Sequence, residues 1–172
     1  MNYITHHYFL QEALLVAMRS MNSGNLPFGC VLVSPDNTVL LDGENTVVTG
    51  DDPLGHCEMN LLHRLKNGYD AAYLQQCTLY ATTEPCAMCA AAIYWSGIGK
   101  LVYAMDKQRY HAIAGSPLPE HMLAVRARDI FSCGGRKVHV VGPLMEKETG
   151  LVYAQWLHGN EYAARQCAEH IC

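Results

Sequence analysis

Residues 78–104, TLYATTEPCAMCAAAIYWSGIGKLVYA, decide the architecture. Thr78–Thr82 is a short run rich in apolar and β-branched groups, which reads as a buried strand. Pro85 suits the first position of a helix, where its missing N–H would have had no partner anyway. The helix predicted over 85–96 stops at Gly97, and Lys100–Ala104 is the next strand. Strand, helix and strand in this close order call for a sheet with helices laid on it.

The flanking sequence extends that pattern. Gly29–Ser34 and Thr38–Asp42 are β-rich runs around Pro35-Asp36-Asn37, a turn sequence, and so form a hairpin. Before it, residues 6–21 place Phe9, Ala13, Val16 and Ala17 on one helical face, with Thr5 as candidate cap. A polar loop over 46–55 leads into a helix opening at His56, with Met59, Leu62 and Leu65 on one stripe and Gly68 past its end. Beyond residue 104 the pattern predicts a helix over 119–129, a strand over 137–141 and a terminal helix from about Glu146. The chain therefore reads as an α/β protein whose mixed sheet is covered by helices, one domain over residues 1–172.

Half the residues are apolar and 16% are charged, ordinary for a globular domain of 172 residues. No apolar run approaches the roughly 20 residues that span a bilayer. The N-terminus has no basic segment followed by an apolar one, so a cytoplasmic location is expected. Net charge is −4 and the 12 Lys and Arg residues are scattered; their densest spots are Arg126 with Arg128 and Arg136 with Lys137. That distribution argues against a polynucleotide partner, which calls for a basic stripe. The eight cysteines read as thiols, metal ligands or core filler rather than disulfides. Cys30 and Cys77 sit in apolar surroundings, while Cys167 and Cys172 close the chain without an assigned role.

Two motifs carry chemistry: His56-Cys57-Glu58, and Pro85-Cys86-Ala87-Met88-Cys89. Cys86 and Cys89, three apart, share a helix face and can grip one ion, and a helix N-terminus favours their thiolate form. With His56 they make three ligands, which suits zinc with its fourth tetrahedral position open to water. Cys57 and His63 lack the spacing to close the shell. Glu58 is the natural group to take a proton from the attacking water and return it to a departing amine. Residues i and i+2 diverge on an ideal helix, so Glu58 can serve only if His56 stands at the helix mouth. Separately, a CxxC pair could be a redox dithiol and a helical His an ordinary polar residue. Together, HxE followed by PCxxC is the signature of zinc deaminases.

On these residues the chain resembles the cytidine/deoxycytidylate deaminase superfamily, and within it the branch of guanine, cytosine and tRNA adenosine deaminases, over about residues 5–158. Pro27-Phe28-Gly29-Cys30-Val31 resembles that branch's PFGA segment, Gly43-Glu44-Asn45 its G-x-N element, and Asp52-Pro53 is similar again. The run from Glu84 to Trp95 resembles guanine deaminases in continuing AIYW. The resemblance implies a three-layer α-β-α fold with a five-stranded mixed sheet, one zinc per chain and a homodimer. It implies that Asn45 hydrogen-bonds the substrate ring, that Phe28 packs on its face and that the Cys57 backbone N–H faces it. The family usually has Ala where Cys57 stands. Guanine deaminases carry an acidic residue shortly after the strand ending in Ala104; here Arg109 takes that place and Asp106 is displaced, which suits an acceptor-bearing or anionic edge. Residues 146–172 are expected to form a helical lid carrying Trp156, over the chain's own site or, by exchange, a partner's.

The expected activity is hydrolytic deamination of a free nucleobase or similar heterocycle, a guanine-like purine first. Cytosine deamination keeps the same chemistry, as does tRNA adenosine deamination, which should bring a basic face. An inactive zinc-binding module is the alternative of another class; it predicts a missing glutamate, and Glu58 is present.

Overall fold

The computed structural model describes residues 3–65, 68–114 and 123–159. Its centre is a five-stranded sheet in the order β2-β1-β3-β4-β5, built from β1 (Gly29–Val33), β2 (Val39–Glu44), β3 (Thr78–Thr83), β4 (Lys100–Met105) and β5 (His139–Val141). β1 lies antiparallel between β2 and β3, while β3, β4 and β5 run parallel, so the sheet is mixed as expected.

Period-two alternation sorts the strand side chains into two cores. Val31, Val33, Tyr80, Val102 and Ala104 face α1 (Tyr3–Asn22), where Phe9, Ala13 and Val16 are buried and form the other side of that core. Cys30, Leu32, Leu79, Ala81, Leu101 and Tyr103 face the opposite layer, which contains α2 (Cys57–Arg64), α4 (Ala87–Ser96) and α6 (Ala127–Ser132). A short α3 (Ala71–Leu74) is held by Asp70, whose carboxylate accepts from the Tyr73 N–H at 2.7 Å. α5 (Lys107–Ala114) and α7 (Glu146–Gly159) pack on each other beside the end of β4, and α7 also meets α1. Among the described residues no helix is long and apolar enough to cross a membrane, and the cysteines are free thiols.

Several expectations shift. α1 begins before Thr5, which lies within its first turn; N–H groups there lack intrahelical partners in any case, so a Thr is tolerated without serving as cap. The buried stripe of α2 is Cys57, Leu61 and Leu65, not Met59, Leu62 and Leu65, because the helix enters the core by its first turn. α4 starts at Ala87 with Cys86 extended as its N-cap, so Pro85 precedes the cap rather than opening the helix. The helix expected over 119–129 is absent from 123–126, and 115–122 lie outside the described residues. α6 starts instead at Ala127, where the Asp129 carboxylate accepts the Arg126 N–H at 3.3 Å. α5 was not legible: its start is fixed by Asp106, which accepts the Gln108 N–H at 2.8 Å, and not by a strong apolar stripe.

Two glycines matter for the site. Gly97 ends α4 at φ 92°, a left-handed cap that L side chains rarely adopt. A Cβ on Gly43 would overlap the Cys57 carbonyl, so glycine there lets the mouth of α2 close against β2.

Candidate active site

β1 begins, and β2, β3 and β4 end, at one edge of the sheet, so the residues beyond those strand ends converge there. Ligands bind at such edges because the strand ends deliver side chains while helices start nearby. Two helix mouths open onto it. His56 is the N-cap of α2 (φ −67°, ψ 148°) and Cys86 that of α4 (φ −66°, ψ 174°). Both are extended, so each side chain swings off its helix axis towards the other. The i, i+2 objection to Glu58 disappears, since His56 does not follow the helical path that Glu58 follows.

His56 Nδ1 lies 3.6 Å from Cys86 Sγ and 3.5 Å from Cys89 Sγ. The three ligand atoms all fall within 4.8 Å of one another. Zinc bonds of about 2.3 Å to sulfur and 2.0–2.1 Å to nitrogen, at tetrahedral angles, give an N–S edge of about 3.6 Å. The set therefore fits one zinc ion, with Nδ1 as the ligating nitrogen. A hydrogen bond from the Cys89 thiol, resisted by burial and reinforced by His56, pushes Cys86 down to about 4. Cys89 is driven well up by the same hydrogen bond and by burial. With zinc bound both sulfurs would be thiolates, the form that ligates the metal. Burial alone would depress His56, but the hydrogen bond and charge of Cys86 outweigh it and raise it.

Glu58 is 6% exposed and lines the concavity in front of the ligands, a space of about 480 Å³ continuous with solvent. Burial pushes its carboxyl group up, and His56 draws it partly back. The Cys57 thiol donates to Glu58 Oε2 at 3.1 Å, and Cys57 also lines the pocket.

The expected ring contacts divide. Phe28 and Asn45 line the pocket. Phe28 is wedged edge-on between Tyr110 and Tyr153, at centroid distances of 5.0 and 5.6 Å. The Asn45 side-chain oxygen also accepts the Val47 N–H at 3.1 Å, so it shapes its loop while forming the wall. Arg109 is exposed on α5 and does not line the pocket, because one helical residue on either side points elsewhere. Asp106 is turned away into an ion pair with Arg126, whose guanidinium also reaches buried Glu84 at 3.3 Å. Trp156 is buried behind the wall, donating to the Asn25 carbonyl at 3.1 Å and packing on Leu26, so it supports the pocket without lining it. Tyr94 packs under the Arg136 guanidinium, but Trp95 is 82% exposed and packs on little of its own chain. The part of the C-terminal segment that is described, α7, packs on its own chain, with the Tyr153 hydroxyl 2.5 Å from Thr83 Oγ1; residues 160–172 lie outside the described residues.

Sequence reasoning missed Lys107, Leu26 and the strand end Thr82-Thr83-Glu84, all of which line the pocket. The strand end could have been found, since it immediately precedes the PCxxC motif. Lys107 had no such signal.

The model of the cytidine and deoxycytidylate deaminase zinc-binding region matches residues 4–105. A probable cytosine deaminase of Schizosaccharomyces pombe is 33% identical over 141 residues, 81% of this chain and 85% of its own length. The guanine deaminase of Bacillus subtilis is 36% identical over 104 residues, 60% of this chain and 66% of that protein. Among solved structures, a guanine deaminase of Nitrosomonas europaea superposes with a TM-score of 0.68 at 22% identity, over 86% of this chain and 82% of that one, and so shares the fold.

Proposed function

This chain belongs to the cytidine and deoxycytidylate deaminase family and is a zinc-type hydrolytic deaminase, and from that premise we propose that its substrate is a free nucleobase-like ring, a guanine-like purine first. The observation that carries the reading is the pocket in front of His56, Cys86 and Cys89. The apolar Leu26 and Phe28, the ring of Tyr110, the Glu58 carboxyl group and the Asn45 amide all line it. A planar base needs an apolar wall for its face and a few fixed polar groups for its rim.

Zinc held by the three ligands would supply Lewis acidity that makes water a nucleophile at neutral pH. The chain's own part is proton movement and positioning. Glu58, whose carboxyl group burial raises, takes one proton from the attacking water and delivers it to the ring nitrogen, then carries the remaining hydroxyl proton to the amino group, which leaves as ammonia as the carbonyl forms. Phe28, braced by two tyrosines, holds the ring plane. The amide of Asn45 and the backbone N–H of Cys57 meet the polar rim.

Guanine-type rings are favoured by the AIYW continuation of α4 and by the Bacillus subtilis relative. Cytosine is the second reading, favoured by the longer match to the Schizosaccharomyces pombe protein. A homodimer and a cytoplasmic location accompany the proposal as expectations of the family and of the N-terminal sequence. The test is ammonia release by the zinc-loaded protein from guanine, cytosine, adenine, their nucleosides and a tRNA anticodon stem-loop, with Glu58→Ala alongside. Release from guanine that disappears in the variant supports the first reading, and release from cytosine alone supports the second. Conversion of the stem-loop alone overturns both.

A further inference from the structure

Lys107, the first residue of α5, is 8% exposed and lines the same pocket as Glu58 and Asn45. Lysine is rarely buried to this degree unless an acid accompanies it. Here the ammonium donates to two backbone carbonyls, Leu123 and Val125, each at 3.0 Å. Among the described residues no carboxylate pairs with it; Asp106, its neighbour in sequence, is engaged by Arg126 instead. Glu84, the other acid near the pocket besides Glu58, accepts from Arg126 and from the Ala127 N–H at 3.2 Å. An ammonium has three donors, so among the described residues the two carbonyl partners leave one N–H uncommitted at a pocket that Phe28, Tyr110, Asn45 and Glu58 also line. His111, one helical turn along α5, is lowered by burial and by the charge of Lys107.

The third donor of a cation placed so can meet an acceptor that arrives with the ligand. We propose that Lys107 is a specificity-determining residue that donates to an oxygen acceptor on the substrate ring. The substrate class is then an aminated heterocycle carrying an oxo group, or its ionised form, and not an adenine-like or diamino ring that presents a donor there. The inference rests on the free-base reading of the pocket. It also relocates the cation expected at Arg109 to the residue two places earlier, on the side of α5 that faces inward.

The bland role for Lys107 is to fasten the 123–125 segment to α5. The two roles separate in matched substrates. Guanine and 2,6-diaminopurine differ by one oxo group replaced by an amino group, and cytosine and 4-aminopyrimidine differ by the loss of one oxo group. For each pair, kcat/KM is measured with zinc-loaded wild type, Lys107→Met, Lys107→Gln and Lys107→Arg, with zinc content and melting temperature recorded for each protein. Wild type should favour the oxo member of the pair it deaminates. Lys107→Met should lose on the order of 10- to 100-fold on that member, the worth of a hydrogen bond to a charged group, with the loss chiefly in KM and the preference collapsing. Lys107→Arg should keep the preference. A variant that slows both members of a pair equally, or neither, overturns the assignment and leaves Lys107 as a fastener; if Lys107→Met is insoluble, Lys107→Gln decides by the same ratio. Wild type that releases no ammonia from any free base overturns the proposed function itself, and the reading of Lys107 with it.

Discussion

The two halves of the pocket are built in opposite ways. The metal half comes from two short motifs, each at a helix mouth, and its geometry follows from local backbone: an extended N-cap, then a first turn. The recognition half takes Leu26 and Phe28 from the entry to β1, Asn45 from the exit of β2, and Lys107 and Tyr110 from α5. Its rear support comes from Tyr153 and Trp156 of α7, far along the chain. Reaction chemistry is thus written in contiguous sequence, while choice of ring depends on how distant segments pack.

Breaking the metal half should have the largest effect. Cys89→Ala removes a buried ligand, and the zinc content measured by metal analysis should fall from one per chain to near zero, with activity falling to background. Glu58→Ala should keep the zinc and still lose on the order of 10²- to 10⁴-fold in kcat, as expected for a lost general acid–base. Retention of activity without zinc would erase the distinction between the halves.

Damage to the recognition half should appear differently. Trp156→Ala, probed by urea denaturation, should cost about 3–5 kcal/mol of stability, the usual result of emptying a buried aromatic site. Because Trp156 braces Leu26 without touching Glu58 or the ligands, the folded variant should keep its zinc and show a raised KM with a smaller change in kcat. An equal loss of zinc would mean that the two halves are one cooperative unit.

The smallest effect is expected away from the pocket. Burial pushes Asp42 up, but Arg19 and Arg64 outweigh it and hold the carboxyl below its ordinary range. A depressed folded value stabilises the protein at pH above the unfolded value of about 3.9, and that contribution is lost as pH falls through the folded value. Both arginines are more than half exposed, so Asp42→Asn should cost under about 1 kcal/mol at neutral pH. The gap between variant and wild type, followed by thermal melting, should close as the solution is acidified below pH of about 3.9. Activity should be untouched, which makes this the control for both halves.

The strands were legible because each is a compact apolar run bounded by turn residues, and all five fall where the pattern put them. Helix boundaries were less so. Cys86 has no propensity to be an N-cap, and only its position opposite His56 explains why α4 starts after it. The inward stripe of α2 differs because the helix enters the core by its first turn, which turns Cys57 and Leu61 inward; buried Glu58 beside them is a position that hydrophobic periodicity does not recognise. α5 is not visible in the sequence because its residues carry little apolar pattern, and the partners of Lys107, the carbonyls of Leu123 and Val125, lie 16 and 18 residues away.

Short-range sequence pattern suffices for the sheet, for the identity of the three ligands and for the presence of a carboxylate beside them. Each of those depends on spacings of a few residues, and local backbone geometry translates such spacings directly into space. Packing of distant segments sets which nitrogen of His56 faces the sulfurs, brings Glu58 and the ligands to one cavity, and makes Lys107 rather than Arg109 line it. Those depend on the rotation of helices about their axes and on contacts between residues many positions apart. Side-chain direction turns by about 100° per helical residue, so a register uncertain by one or two residues decides between solvent and pocket.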